Sequence, residues 1–223
     1  MKIKPLARVL IALTAILFIA IAALGLRHGL VAAWTDADTL RTRWLVNQWR
    51  DGTGPVYSLP LWQQAHDELQ AALERTPDNA QLLDDLGFLD AARALGLGTP
   101  APDSPEFALQ QSLLASAVVH YRQATVLRPT FPYTWGYLAL AKHHKGENDA
   151  ELWAAYDKAV RYGRNEAGVQ TTLARLAFIY WDTIGTERQG QIRRMVDEAL
   201  FEPRQKLLDL ADQNGIILLN LAP

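Results

Sequence analysis

The 223-residue chain contains no cysteine. This absence excludes a disulfide framework, a thiol nucleophile and a thiolate-bound metal ion, and it leaves oxidising and reducing compartments equally open. The sequence also lacks any sustained alternation of apolar and polar residues, which is the pattern of a half-buried β-strand. The body of the chain is therefore predicted to be all-α.

Motifs that carry catalysis are missing as well. The five histidines show no H-E-x-x-H or other metal-binding spacing, and Gly96-x-Gly98 runs into Thr-Pro-Ala-Pro instead of a helix. Adjacent helical residues diverge by about 100°, so neither Asp84-Asp85 nor His143-His144 forms a ready pair of ligands or catalytic groups. The two histidines are interpreted as a solvated helix end. We expect a protein that is not an enzyme and holds no metal ion or other cofactor.

Acidic residues are absent from the N-terminal 28 residues, which contain four basic side chains. The remainder of the chain contains 18 basic and 24 acidic side chains. An acidic body argues against nucleic-acid binding, because that function needs a basic face to neutralise phosphates. The basic N-terminus therefore calls for a different explanation.

Residues 9–26 form an uninterrupted uncharged run. As a helix, this run would extend roughly 27 Å, close to the hydrocarbon thickness of a bilayer. A cleaved signal peptide is the alternative, because Ala20-Ile21-Ala22 has the small-x-small form of a cleavage site, but the run is long and continues past it. More basic residues precede the run than follow it. We predict a single-pass anchor over 1–28 in a bacterial inner membrane, with a cytoplasmic N-terminus and a periplasmic body.

Two regions are predicted to follow the anchor. Residues 29–60 are predicted to form an amphipathic connecting helix and loop. Trp34 is placed where an anchor at the membrane interface is expected. The alternative is that Trp34 and the other tryptophans of this region pack on the first repeat. Residues 61–223 read as a helical domain with a Gly/Pro-rich loop at 95–107. Helical periodicity and end signals predict helices over 61–75, 80–95, 106–127, 132–145, 149–162 and 204–212. Further apolar stripes lie at 169–181 and 192–200, and the tail 216–221 is expected to pack down.

Internal repetition identifies the kind of helical domain. Residues 83–90 and 135–142 partly match the W-x2-L-G-x2-Y pattern of a tetratricopeptide first helix, and residues 117–121 match the A-x3-F pattern of a second helix with Tyr in place of Phe. The pattern requires small residues where helices cross closely, large residues that fill the gaps, and a closing proline that prevents helix continuation. Pro77 and Pro129 are such closing prolines.

The array is imperfect in three places. The first unit offers only its second helix, 61–75. The closing prolines are 52 residues apart instead of the usual 34 or so, and the excess is assigned to the 95–107 loop and its flanks. Beyond about residue 163 the pattern dissolves into generic amphipathic helices. The sequence predicts a transmembrane helix followed by a tetratricopeptide-like α-solenoid of antiparallel helix pairs, and an irregular helical bundle is the alternative.

The first helices of such an array line a concave groove that binds other proteins. This mapping gives nine candidate partner-binding residues: Asp84, Asp85, Phe88, Tyr133, Tyr137, Leu140, His143, His144 and Arg175. The alternative for each aromatic member is a place in the core, which is the commoner position for an aromatic residue on a helical face.

The segment RPTFPYTW at residues 128–135, with its continuation to about Trp181, resembles the VpsP-type polysaccharide biosynthesis proteins. The resemblance implies one N-terminal membrane helix, a helical-repeat body and a place beside a bacterial exopolysaccharide assembly or export system. It implies no catalytic residues. The segment 162–165, Tyr-Gly-Arg-Asn, departs from the closing Leu-Gly-Pro expected for the family.

Three functions follow from these observations. The first is a membrane-anchored scaffold of exopolysaccharide biosynthesis or export, which binds partner subunits through its groove. The second is a periplasmic tetratricopeptide adaptor or chaperone without a link to polysaccharide. The third is a glycan-active enzyme that would use the Gly/Pro-rich loop with Asp103 and Glu106. The sequence favours the first, without naming the partner, the sugar or the oligomeric state.

Overall fold

The computed structural model describes residues 5–218, with side chains from Leu10 onward. All regular secondary structure in that range is α-helical. The helices are α1 (Pro5–Arg50), α2 (Leu59–Arg75), α3 (Ala80–Leu95), α4 (Pro105–Leu127), α5 (Pro132–Lys145), α6 (Ala150–Gly163), α7 (Ala167–Ile179), α8 (Gly185–Glu198) and α9 (Phe201–Gln213). The prediction of an all-α chain is confirmed.

Local sequence explains where the helices begin and end. The side chains of Asn79, Ser104 and Asp149 accept hydrogen bonds from backbone N–H groups in the first turns of α3, α4 and α6. Prolines occupy the first turns of α4 and α5, where their missing N–H group leaves no helical bond unmade. Gly146 ends α5 with a φ of 85°, in the left-handed region that glycine adopts without strain.

The observed bounds also correct several predictions. The inserted loop is shorter than predicted, at residues 96–104, because α4 starts early and runs for 23 residues. Part of the excess length in this repeat is therefore helix. The stripes at 169–181 and 192–200 correspond to α7 and α8, which both end slightly earlier. In the tail, Leu218 is buried and Ile217 is exposed, while residues 219–221 lie outside the described range.

The chain divides into two compact units, residues 1–78 and 79–223. The boundary thus falls after α2, whereas the repeat domain was predicted to begin at residue 61. Within the first unit, α2 packs antiparallel on the end of α1, since the Thr42 hydroxyl donates to Glu68 and Arg75 pairs with Asp38. The sequence pattern showed only the second helix of the first repeat, and the end of α1 therefore supplies its first helix.

Helix α1 is continuous from the apolar run to Arg50. Its apolar part has a mean hydropathy of 2.4, none of it is buried, and its length and composition fit a membrane span or a signal sequence. Trp34 and Trp44 are 71% and 61% exposed. Packing of these two tryptophans on the first repeat is therefore wrong, although Trp49 does pack, edge to face, on Tyr57.

In the second unit, α3 and α4 pack antiparallel. Arg128 at the end of α4 reaches Asp84 near the start of α3, and Gln110 in the first half of α4 donates to the carbonyl of Ala94 near the end of α3. At the crossing, Gly87 lets the Tyr121 ring approach so closely that a Cβ atom would lie 2.9 Å from it. This antiparallel pair supports the repeat interpretation over the irregular bundle.

Successive pairs stack through contacts between their first helices. Gly168 on α7 faces Tyr133 on α5, and Thr172 faces Gly136, so the first helices of two repeats lie side by side about 35 residues apart. Helix α8 packs on α7, and α9 packs on both. The region where the sequence pattern dissolves thus continues the stack, with Leu173, Ile192 and Met195 in the same core.

Candidate partner-binding groove

The candidate site is the face formed by the first helices of successive repeats. Aligning the helices on the buried small residues Gly87, Ala139 and Ala174 places the next residue of each, Phe88 on α3, Leu140 on α5 and Arg175 on α7, at equivalent positions. Phe88 and Leu140 are half-buried and Arg175 is exposed. The name groove face is used below for Phe88, Tyr133, Tyr137, Leu140, His144 and Arg175.

Tyrosines supply most of the aromatic surface of this face. The Tyr133 ring lies 5.6 Å from Phe131 and 6.4 Å from Tyr137, measured between centroids. Tyr137 also packs against buried Tyr121 at 5.7 Å. The hydroxyl of Tyr133 donates to the Glu166 carboxylate at 3.3 Å, and burial, followed by that carboxylate, raises the pKa of Tyr133. The rings are therefore fixed by the scaffold while their outer edges remain accessible.

His143 and His144 were interpreted as a solvated helix end, and the structure shows both rings half-buried instead. Nδ1 of His143 lies 2.9 Å from the hydroxyl of Tyr180, which comes from the end of α7. Burial lowers the pKa of both imidazoles, and the neighbouring ring lowers that of His144 further. His143 therefore contributes to packing between repeats, whereas His144 continues the Tyr133–Tyr137–Leu140 stripe at helical spacing.

The predicted groove positions of Asp84 and Asp85 are wrong, because both side chains are buried. The Asp84 carboxylate accepts a hydrogen bond from the Thr134 hydroxyl at 2.8 Å and forms an ion pair with Arg128. Asp85 accepts a hydrogen bond from Gln81 at 3.1 Å. A buried carboxylate is tolerated where such partners replace water, and Asp84 holds three helices together at this point.

The structure also explains the RPTFPYTW segment. The Trp135 indole donates to the carbonyl of Pro129 at 2.8 Å, and the Arg128 guanidinium lies 4.3 Å above the Phe131 ring. Lys158 covers the other side of the joint, with its ammonium 3.9 Å from the centre of Trp135. The segment is therefore a structural joint between α4 and α5, and it places Tyr133 on the groove face.

One polar cluster was not predicted from the sequence. Lys142 is 2% exposed, and its ammonium contacts Glu147, Asp149 and Glu151 at 2.8 to 3.0 Å. Burial opposes the charged form, but hydrogen bonds to the three carboxylates outweigh it and raise the pKa of Lys142. The signal was visible, since a lysine stands where the repeat pattern has an aromatic residue and three acids follow within nine positions.

The groove face suits binding better than bond chemistry. It combines half-buried aromatic and aliphatic surface with one exposed guanidinium, a composition suited to protein partners. Within residues 10–218, no group of three or more histidine or acidic side chains is arranged to hold a metal ion. Asp103 and Glu106, the candidates for an enzyme, are both exposed at the start of α4 and its preceding loop.

The stacked antiparallel pairs and the small residues at their crossings define a tetratricopeptide-like α-solenoid. No family model matches the chain, and no curated protein matches it significantly. Among solved structures, it is similar to a thermophilic tetratricopeptide-repeat protein from Thermus thermophilus, with a TM-score of 0.54. The two chains are 19% identical over 89% of this chain and 94% of the other. This similarity supports the fold.

Proposed function

We propose that the protein is a non-catalytic scaffold whose groove face holds a partner protein. The observation that carries this proposal is the stripe of Tyr133, Tyr137, Leu140 and His144, which stays half-buried beside exposed Arg175. Rigid aromatic residues lose little conformational entropy on binding, and an adjacent arginine adds directional hydrogen bonds to an acidic group. A partner segment with apolar side chains and a carboxylate fits this surface.

The proposal includes anchoring in a bacterial inner membrane. The helix that contains residues 9–26 is long and apolar enough to cross a bilayer, and basic residues are enriched before the apolar run. The positive-inside rule then gives a cytoplasmic N-terminus and a periplasmic body. Retention of the full-length chain in membranes after alkaline extraction is expected, and release into the soluble fraction would contradict the anchor.

The proposed pathway is exopolysaccharide assembly or export. Its support is the resemblance of the RPTFPYTW segment, together with the overall plan of an apolar helix followed by repeats, to the VpsP-type proteins. Deletion of the gene is expected to reduce surface polysaccharide while leaving sugar-transfer activity in isolated membranes unchanged. Normal surface polysaccharide in the deletion strain would contradict this part of the proposal.

A photocrosslinking amino acid at Leu140 tests the groove directly in intact cells. Val126 on α4 is a matched control, because it is an exposed apolar residue on a second helix. A discrete crosslinked partner at Leu140 and none at Val126 is expected, and a polysaccharide polymerase or export subunit would support the pathway. A broad set of clients would favour the general periplasmic adaptor, and equal crosslinking at both positions would contradict a groove-specific site.

A charge reversal gives an independent test. Arg175→Glu should weaken capture of the same partner by roughly tenfold, which is the loss expected when one charged contact becomes repulsive. Arg161→Glu makes the same change at an exposed arginine on the second helix α6 and should leave capture unchanged. An unchanged partner yield with Arg175→Glu would remove the guanidinium from the proposed site.

A further inference from the structure

Beyond the apolar run, helix α1 has two faces of different character. Thr35, Thr39, Thr42 and Val46 are buried and follow one another at steps of three and four residues. They form one stripe along the helix, since residues at that spacing share a face. This stripe includes Thr42, whose hydroxyl bonds to Glu68 of α2. One side of α1 is thus occupied by packing within the protein.

The opposite side is apolar and exposed. Leu30, Ala33, Ala37, Leu40 and Trp44 alternate steps of three and four residues over two heptads, and at about 100° per residue they centre roughly 170° from the threonine stripe. Leu30, Leu40 and Trp44 are 62%, 68% and 61% exposed. Apolar residues at the a and d positions of consecutive heptads are the seam of a coiled coil.

Charges beside this seam favour a parallel partner of the same sequence. In the heptad register that places Leu30 at a, Asp36 is a g residue and Arg41 is the e residue of the next heptad. In a parallel pair of identical helices, these positions meet across the interface, giving two opposite-charge contacts. An antiparallel pair would instead bring like positions together. The present partner of Asp36 is Arg43 on its own helix, at 3.0 Å, and both side chains are solvent-accessible.

We infer that α1 forms a parallel two-stranded coiled coil with α1 of a second copy, so that the anchored protein is a dimer. The seam lies on the same continuous helix as the apolar run, and two copies inserted in the same direction would present it in parallel. The parallel orientation rests on the anchoring proposed above. The dimer places two groove faces on one membrane assembly, which would give a partner with paired binding segments an avidity advantage.

The absence of cysteine makes a direct crosslinking test straightforward. Ala33→Cys and Ala37→Cys place single thiols at d and a positions of the full-length chain in its native membrane. Mild oxidation is expected to give a disulfide-linked dimer with both variants. Ala32→Cys is the control, since this exposed alanine lies off the seam, and its dimer yield should be several-fold lower. Equal yields at all three positions, or no dimer at any, would overturn the inference.

The charge arrangement can be tested in the Ala37→Cys background. Arg41→Asp should reduce the dimer yield several-fold, because acidic side chains then face each other, and Asp36→Arg together with Arg41→Asp should restore it. Failure of the double substitution to restore crosslinking would contradict the parallel g-to-e contacts. The membrane fraction separates this result from the proposed function: a chain that stays membrane-bound but does not crosslink contradicts the dimer alone, whereas a soluble chain contradicts the anchor.

Discussion

The two joints between repeats in the second unit bring equivalent helices together by different chemistry. The first joint, residues 128–134 with Asp84 of α3, contains a buried carboxylate bound by Arg128 and Thr134. The second joint, residues 163–169 with Pro132, Tyr133 and Gly136 of α5, has glycine in the position of Asp84 and Val169 in that of Thr134. At the second joint, close contact replaces the buried charge.

This difference shows that the stacking geometry does not require one set of residues. Gly163 packs directly on Pro132 and Gly168 on Tyr133, so that an added Cβ atom would lie 2.5 Å and 2.9 Å, respectively, from the facing ring. In the first joint, Arg128 and Thr134 compensate the desolvated charge of Asp84, whereas the second joint has no such charge to compensate. The polar joint should therefore be sensitive to loss of a partner, and the apolar joint to added volume.

Asp84→Ala should have the largest effect. Removing the buried carboxylate takes away the ionic partner of Arg128 and the acceptor of the Thr134 hydroxyl, so we expect a loss of about 3–5 kcal/mol in the free energy of unfolding. Denaturant titration of the full-length chain in detergent, followed by helical circular dichroism, measures the change. Asp103→Ala, in the exposed loop, should change stability by less than about 0.5 kcal/mol. A loss below about 1 kcal/mol for Asp84→Ala would contradict the proposed importance of the polar joint.

Gly163→Ala tests the apolar joint. An added Cβ would lie 2.5 Å from Cβ and 2.8 Å from Cγ of Pro132, and a proline ring cannot rotate away. Repacking should cost about 1–3 kcal/mol. Gly190→Ala is the matched control, because only the flexible end of Arg194 lies near that site, at 3.5 Å, and alanine is the better helix former by up to about 1 kcal/mol. The two substitutions should therefore shift the unfolding midpoint in opposite directions, and shifts of the same sign would contradict this account.

The same comparison shows what could be predicted from sequence. Proline and tryptophan at the first joint match the repeat pattern, so the bounds of α5 were predicted correctly as 132–145. At the second joint, glycine performs the close-packing role without a recognisable signature, and the α7–α8 pair was missed as a repeat. For the groove face, spacing identified the α5 stripe and Arg175 as candidates but placed Asp84 on the surface. A carboxylate is normally exposed, and its partner Arg128 is 44 residues away.

Neighbouring residues on α5 allow a finer comparison of the joints. Thr134→Val removes a buried hydroxyl that bonds to Asp84 in the first joint, and should cost about 1–2 kcal/mol. Tyr133→Phe removes a more exposed hydroxyl that reaches Glu166 at the second joint over 3.3 Å, and should cost less than about 0.5 kcal/mol. Both substitutions keep side-chain volume nearly constant, so unfolding midpoints report mainly the hydrogen bonds. Similar losses for both would show that the two joints do not differ in their dependence on polar contacts.

A charged side chain near the surface should have the smallest effect on stability. The corner between α5 and α6 provides the test. Hydrogen bonding to Arg122, and then to Lys142, lowers the pKa of Glu151 from its ordinary 4.5 to about 2. Because the folded state holds the proton less tightly than the unfolded state, Glu151 stabilises the fold above pH 4.5, and this contribution disappears as the pH falls toward 2. Its side chain is 38% exposed, so solvent screening limits the contribution to about 1 kcal/mol.

Glu151→Gln should therefore lower stability by about that amount at pH 7 and converge with the unmodified protein near pH 2. Glu187→Gln, on exposed α8 surface, should change stability at pH 7 by less than about 0.5 kcal/mol. A difference for Glu151→Gln that persists undiminished at pH 2 would contradict the electrostatic origin.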